Sequence, residues 1–82
     1  MKYRLALAHE QPADARVDIE LNEDGFVRVA DEVWKTVEEL AVELATDARR
    51  RYGPAVCRDH RDIGGELVQL FWDLYKRLPA DC

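Results

Sequence analysis

The segment 57–60, Cys-Arg-Asp-His, brings a thiol, a carboxylate and an imidazole into four consecutive residues. These groups can bind zinc, but a structural zinc site takes three or four ligands, usually as two spaced pairs. Only His9 and Cys82 remain to supply a second pair. Cys57 and His60 could also act as nucleophile and base, yet no third group is evident to orient the imidazole. We therefore predict a polar connector with free thiols, no metal or other cofactor, and no enzymatic activity.

Five arginines occur close together in the sequence, and their guanidinium groups could contact the phosphates of a nucleic acid. They are Arg49, Arg50, Arg51, Arg58 and Arg61. The first three fall at the end of a predicted helix, where positive charge stabilises the helix dipole without any ligand. The acidity of the whole chain also opposes nucleic acid. Binding of nucleic acid through the Arg49–Arg61 patch stays an alternative.

Three glutamates, Glu38, Glu39 and Glu43, lie on the outer face of the same predicted helix. Such residues are typical of a solvated helix face. They would equally suit a negative surface that engages a basic groove on another protein. Paired-carboxylate catalysis is disfavoured, because an amphipathic helix exposes these acids to open water instead of enclosing them in a cleft.

The apolar residues of the second predicted helix cover a wider arc than a surface helix needs. They are Ile63, Leu67, Val68, Leu70, Phe71, Trp72, Leu74, Tyr75 and Leu78. We expect Leu67, Leu70 and Leu74 in the core. One interpretation of the wide arc is a groove between the sheet and the first helix, which would bury Trp72 as well. The other is a partner surface around Val68 and Trp72, such as a homodimer interface.

Length and composition indicate one small domain, residues 1–82, with 48% apolar and 35% charged residues. The net charge of -5 is uneven, because residues 10–47 carry twelve acids and three bases whereas residues 48–62 carry five bases and two acids. This distribution favours basic partners. The apolar run 5–8 is too short for a signal peptide or a membrane span, so we expect a cytoplasmic protein without membrane contact.

Three segments alternate apolar and polar residues, which is typical of strands. They are residues 3–9, 16–22 and 26–29. In the first hairpin we expect Leu5 opposite Ile19, which also places Arg4 opposite Glu20.

The turn between the second and third predicted strands is Glu-Asp-Gly, residues 23–25. This sequence predicts a three-residue hairpin loop with Gly25 in the left-handed region. Glu20 then lies opposite Arg28, and the apolar rows of both strands share one side of the sheet.

Apolar residues recur every three or four positions in two later segments, which predicts amphipathic helices. The expected bounds are about 31–52 and 63–78, with Asp31 and Asp62 as N-caps. Together the patterns predict an α+β fold, a three-stranded antiparallel meander with two helices on one face, in the order βββαα.

For function we expect a small acidic protein-binding module, an inhibitor or regulator that docks on a basic, nucleic-acid-binding surface of a larger protein. The expected contact residues are Glu38, Glu39, Glu43, Val68 and Trp72. Small proteins of phages and mobile elements that block host defence complexes have this profile of size and charge, which would place the protein in a host cytoplasm. The alternatives are a homodimeric structural or assembly protein that uses the second helix, and the nucleic-acid-binding module.

Overall fold

The structure is a computed structural model that describes residues 1–8, 15–54 and 57–79. Its elements are β1 (Lys2–Ala6), β2 (Arg16–Leu21), β3 (Val27–Val29), α1 (Val37–Tyr52) and α2 (His60–Tyr75). The strands form one antiparallel sheet in the order β1-β2-β3. The predicted α+β fold with the order βββαα is therefore confirmed. His9, the predicted end of the first strand, lies outside the described residues, as does Cys82.

The core lies between one face of the sheet and the two helices, because alternate side chains of a strand point to the same face. The cluster of buried apolar residues comprises Leu5, Leu7, Ile19, Leu21, Val27, Val37, Leu40, Ala41, Leu44, Ala45, Ala48, Ile63, Leu67 and Phe71. Small residues bring the helices close together, since a Cβ added at Gly64 would lie 3.7 Å from the Cβ of Ala41.

The β2–β3 hairpin has the predicted turn and register. Gly25 has a φ of 94°, in the region that favours glycine. The amide of Asn22 donates to the carbonyl of Phe26 at 3.0 Å, and Glu20 lies opposite Arg28. The Arg28 guanidinium also lies 2.9 Å from the Glu20 carboxylate. This ion pair is on the sheet face away from the helices.

The predicted register of the β1–β2 hairpin is wrong by two residues. Ile19 lies opposite Tyr3 instead of Leu5, and Arg4 lies opposite Asp18. A slip of two residues keeps the same side chains on the core face, so the apolar pattern cannot distinguish the two registers. The register includes Met1, whose carbonyl accepts from the amide of Leu21 at 2.7 Å.

The N-cap of the first helix lies five residues later than predicted, at Thr36 instead of Asp31. The Thr36 hydroxyl accepts a hydrogen bond from the amide of Glu39, and the Glu39 carboxylate accepts one from the amide of Thr36. These two hydrogen bonds form a capping box. Before the helix the chain turns at Ala30, with φ 52°, and Lys35 then pairs with Val27.

The second helix is capped by Asp59 rather than Asp62, since the Asp59 carboxylate accepts from the amides of Arg61 and Asp62. The hydrogen bonds lower the pKa of Asp59, because they stabilise its charged form. The helix ends at Tyr75, three residues before the predicted end, and is followed by Lys76 in the left-handed region at φ 59°.

The wide apolar arc of α2 is only partly buried. Leu67 is fully buried and Leu70 is half-buried, but Leu74 is 38% exposed. The prediction that Leu74 belongs to the core is therefore wrong. Its position explains the exposure, because Leu74 lies in the last turn of α2, beyond Phe71, the last buried residue of that helix.

Candidate protein-binding surfaces

The outer side of α1 carries an exposed apolar residue beside three acids. Val42 is 44% exposed, and Glu38 and Glu39 lie one helical turn before it. These residues line one shallow depression together with Thr36 and Glu43. We refer to Glu38, Glu39, Val42 and Glu43 as the acidic face. The structure thus brings together the three glutamates that the sequence singled out, and it adds Val42, which sequence reasoning missed.

Two of the three glutamates are held in place by neighbouring residues. Oε1 of Glu39 accepts from the Thr36 hydroxyl at 3.0 Å, within the capping box. The carboxylate of Glu43 lies 2.8 Å from Nζ of Lys35, and this hydrogen bond raises the pKa of the lysine. Glu38 is exposed and forms no ion pair or hydrogen bond with side chains elsewhere in the described part of the chain.

The surroundings of the acidic face strengthen its negative potential. Residues 31–47 contain six acids and one base, Lys35. Lys35 is itself paired with Glu43 and also lies 3.8 Å from Glu32. The side chains that remain for a partner are therefore predominantly anionic, and such a surface attracts cationic groups over a distance of about 8–10 Å at physiological salt.

Val68 and Trp72, the other expected contact residues, lie on α2. Val68 is half-buried and packs against the core, whereas Trp72 is 50% exposed. Neither lines the depression on α1. Trp72 is therefore a second candidate contact residue for a partner protein, separate from the acidic face.

One arginine of the Arg49–Arg61 patch, Arg58, forms hydrogen bonds within the fold. Arg58 is only 16% exposed in its side chain, and its Nη1 donates to Oε1 of Glu66 at 2.6 Å and to the Ala6 carbonyl at 3.0 Å. Arg51 is paired with Asp47 at 3.2 Å. Arg58 is thus engaged within the fold instead of presenting its charge to a phosphate.

The Cys57–His60 segment separates its reactive groups. Cys57 is half-buried and pairs through its backbone with Ala8, while His60 is exposed at the first position of α2. Within residues 1–8, 15–54 and 57–79, no three His, Cys, Asp or Glu side chains lie close enough to hold a metal ion.

Sequence reasoning missed a polar cluster that joins three parts of the chain. The hydroxyl of Tyr3 donates to Oε2 of Glu66, whose other oxygen accepts from Arg58. The hydrogen bond to Glu66 and partial burial raise the pKa of Tyr3. No short motif announces this cluster, because Tyr3 and Glu66 are 63 residues apart in the sequence.

None of the helices in the described residues has the length and hydrophobicity that a membrane span requires. Comparison of the chain with protein-family profiles, curated proteins and solved structures found no match.

Proposed function

We propose that this protein is a non-enzymatic binding module whose acidic face docks on a basic surface of a larger protein. The observation that carries the proposal is the exposure of Val42, 44%, in one shallow depression with Glu38, Glu39 and Glu43. An apolar anchor inside a charged rim is the usual arrangement of a contact that excludes water at its centre and steers its partner from the edge.

The arrangement of the rim also supports docking. Thr36 and Lys35 hold Glu39 and Glu43 in defined positions, so less side-chain entropy is lost when a partner binds. Glu38 is exposed, so its side chain is accessible to the partner. A basic surface is typical of proteins that bind nucleic acid, and covering such a surface would make this module an inhibitor or regulator.

An affinity-capture experiment with matched variants tests the proposal. Wild-type protein is immobilised beside the double variant Glu38→Lys, Val42→Asp and beside Glu23→Lys, which introduces a lysine at an exposed residue of the hairpin loop. We expect basic proteins to be retained by the wild type and by Glu23→Lys, to be lost from the double variant, and to be released by added nucleic acid. Retention of the same proteins by all three would contradict the proposal.

A second candidate function is homodimerisation through α2, and the half-exposed Trp72 favours it. Tryptophan is enriched among the residues that contribute most to protein interfaces. Sedimentation equilibrium of wild type and Trp72→Ala decides the question. A dimer that weakens in the variant while the monomer stays folded supports this candidate, and a monomeric wild type at high concentration rules it out.

A further inference from the structure

The sheet has a gap beside the first half of β2. Strand β2 spans Arg16–Leu21, but β3 pairs only with residues 19–21. The chain leaves the sheet after Val29 because Ala30 adopts a positive φ of 52°. The amide of Glu32 then donates to the carbonyl of Val29, which closes a turn. Among the described residues, β1 is therefore the only strand neighbour of residues 16–18.

Main-chain groups of β2 point into this gap. In an antiparallel ladder, alternate residues direct both their N–H and their C=O to the same neighbouring strand. The amide of Asn22 donates to Phe26, on the β3 side of β2. Every second residue before it, namely Glu20, Asp18 and Arg16, therefore directs its N–H and C=O to that side as well. Glu20 has its partner in Arg28, whereas Asp18 and Arg16 have no backbone partner there among the described residues.

Depressions open on both sides of the same edge. The one on the helix side contains Val17 and Val29 together with Leu40 and Leu44 of α1, and charged residues such as Arg50 border it. The one on the outer face also contains Val17 and Val29, and extends to Asp31. A strand placed in the gap would direct its alternate side chains into these two depressions.

The charges along β2 favour particular side chains in a strand that binds there. Arg16 is exposed and forms no ion pair within the described residues, although the other cross-strand pairs on this face, Arg28 with Glu20 and Arg4 with Asp18, are satisfied. An acidic residue opposite Arg16 would complete the pattern. A residue opposite Val17 would point to the helix side, toward Leu40 and Leu44 in the helix-side depression, where a β-branched side chain fits.

We propose that this gap binds an extended peptide segment of a partner protein, which adds a short strand antiparallel to β2 and continues the path of β3. Its pattern is a polar residue opposite Asp18, a β-branched residue opposite Val17 and an acidic residue opposite Arg16. Addition of a strand to a sheet edge is a general mode of peptide recognition, in which main-chain hydrogen bonds supply affinity and alternate side chains supply specificity. Val42 and Glu43 of the acidic face also line the helix-side depression, so the two sites adjoin, but the gap itself is defined by the unpaired edge of β2.

The probe is a capped synthetic peptide, Gly-Ser-Thr-Val-Glu-Ser-Gly, titrated into ¹⁵N-labelled protein and followed by NMR. We expect saturable shifts at residues 16–18 and Val29, with slower hydrogen exchange at the amides of Arg16 and Asp18. N-methylation of Thr or Glu in the peptide removes a pairing amide and should weaken binding by about tenfold or more, whereas N-methylation of Val should not.

A charge swap gives a second readout. Arg16→Glu should lower the affinity for the original peptide by about tenfold. A peptide with Lys in place of Glu should restore binding to that variant. Arg49→Glu, which changes the charge equally at an exposed position of α1, is the control and should have little effect. Absence of saturable binding at millimolar peptide, shifts outside the gap, or equal weakening by all three N-methyl groups would overturn the proposal.

Discussion

Nη1 of Arg58 lies 2.6 Å from Oε1 of Glu66, and this ion pair joins the connector after α1 to the middle of α2. The same Nη1 donates to the carbonyl of Ala6 at 3.0 Å, and the other carboxylate oxygen accepts from Tyr3. The cluster thus ties β1, the connector and α2 at a point where the Arg58 side chain is 16% and the Glu66 side chain 29% exposed.

Loss of the Arg58 guanidinium should destabilise the fold, because it removes the donor to Oε1 of Glu66 and to the Ala6 carbonyl in a partly desolvated place. Glu66 keeps the hydrogen bond from Tyr3 at its other oxygen, so for Arg58→Ala we expect the free energy of unfolding to fall by about 1–3 kcal/mol. Arg61→Ala, at an exposed position of the same region, should change it by less than about 0.5 kcal/mol. Urea denaturation compares the two variants, and equal effects would mean that the cluster contributes nothing beyond a surface charge.

Tyr3 should make stability depend on alkaline pH. The hydrogen bond to Glu66, helped by burial, raises the pKa of Tyr3 above 10.0, its ordinary value. Because the folded-state pKa is the higher one, the stabilisation is complete below the unfolded-state pKa and is lost as pH rises through the folded-state pKa. Melting temperatures measured from neutral to strongly alkaline pH should therefore decline less steeply for Tyr3→Phe. Parallel curves for both proteins would refute this linkage.

Two glycine substitutions should act in opposite directions. Gly25 has a φ of 94°, so Gly25→Val should cost about 1–3 kcal/mol, since a β-branched residue resists positive φ. A Cβ added at Gly65, inside α2, would meet nothing within 4 Å. Gly65→Ala should therefore stabilise the protein by up to about 1 kcal/mol. Thermal melts of the pair provide the measurement, and a melt unchanged by Gly25→Val would remove the left-handed turn from the account.

Two leucines of α2 should differ sharply in their contribution to stability. Leu67 is fully buried, so Leu67→Ala should cost about 2–5 kcal/mol through lost burial and the cavity left behind. Leu74 is 38% exposed, and Leu74→Ala should cost less than about 1 kcal/mol. Urea denaturation midpoints test this difference, provided that the dependence of the unfolding free energy on urea is the same for both variants. Similar losses for both would mean that Leu74 is buried in solution.

Local chemistry made much of the fold predictable. The sequence 23–25 allows few turns, and the two amphipathic patterns require helices on the apolar side of the sheet. The β1 register was not predictable, because alternation is unchanged by a slip of two residues. The start of α1 was missed because Asp31 suits an N-cap as well as Thr36 does, and only the capping box with Glu39 distinguishes them.

The candidate surfaces were predictable to a different degree. Helical spacing alone placed Glu38, Glu39 and Glu43 on one outer face. The exposure of Val42 could not be read in the same way, because an apolar residue at that spacing also fits the edge of a core stripe. The gap beside β2 depends on where β3 ends, and that point is set by the positive φ of Ala30, a conformation that alanine rarely adopts.

The most direct test of the central claim is the affinity of a captured partner for the wild type, Glu38→Lys and Glu23→Lys, measured by titration calorimetry at low and high salt. We expect Glu38→Lys to weaken binding by about tenfold or more at low salt and by less at high salt, because the lost attraction is electrostatic. Glu23→Lys should bind within about twofold of the wild type under both conditions. Equal affinities for all three proteins, or equal losses for both variants, would contradict docking through the acidic face.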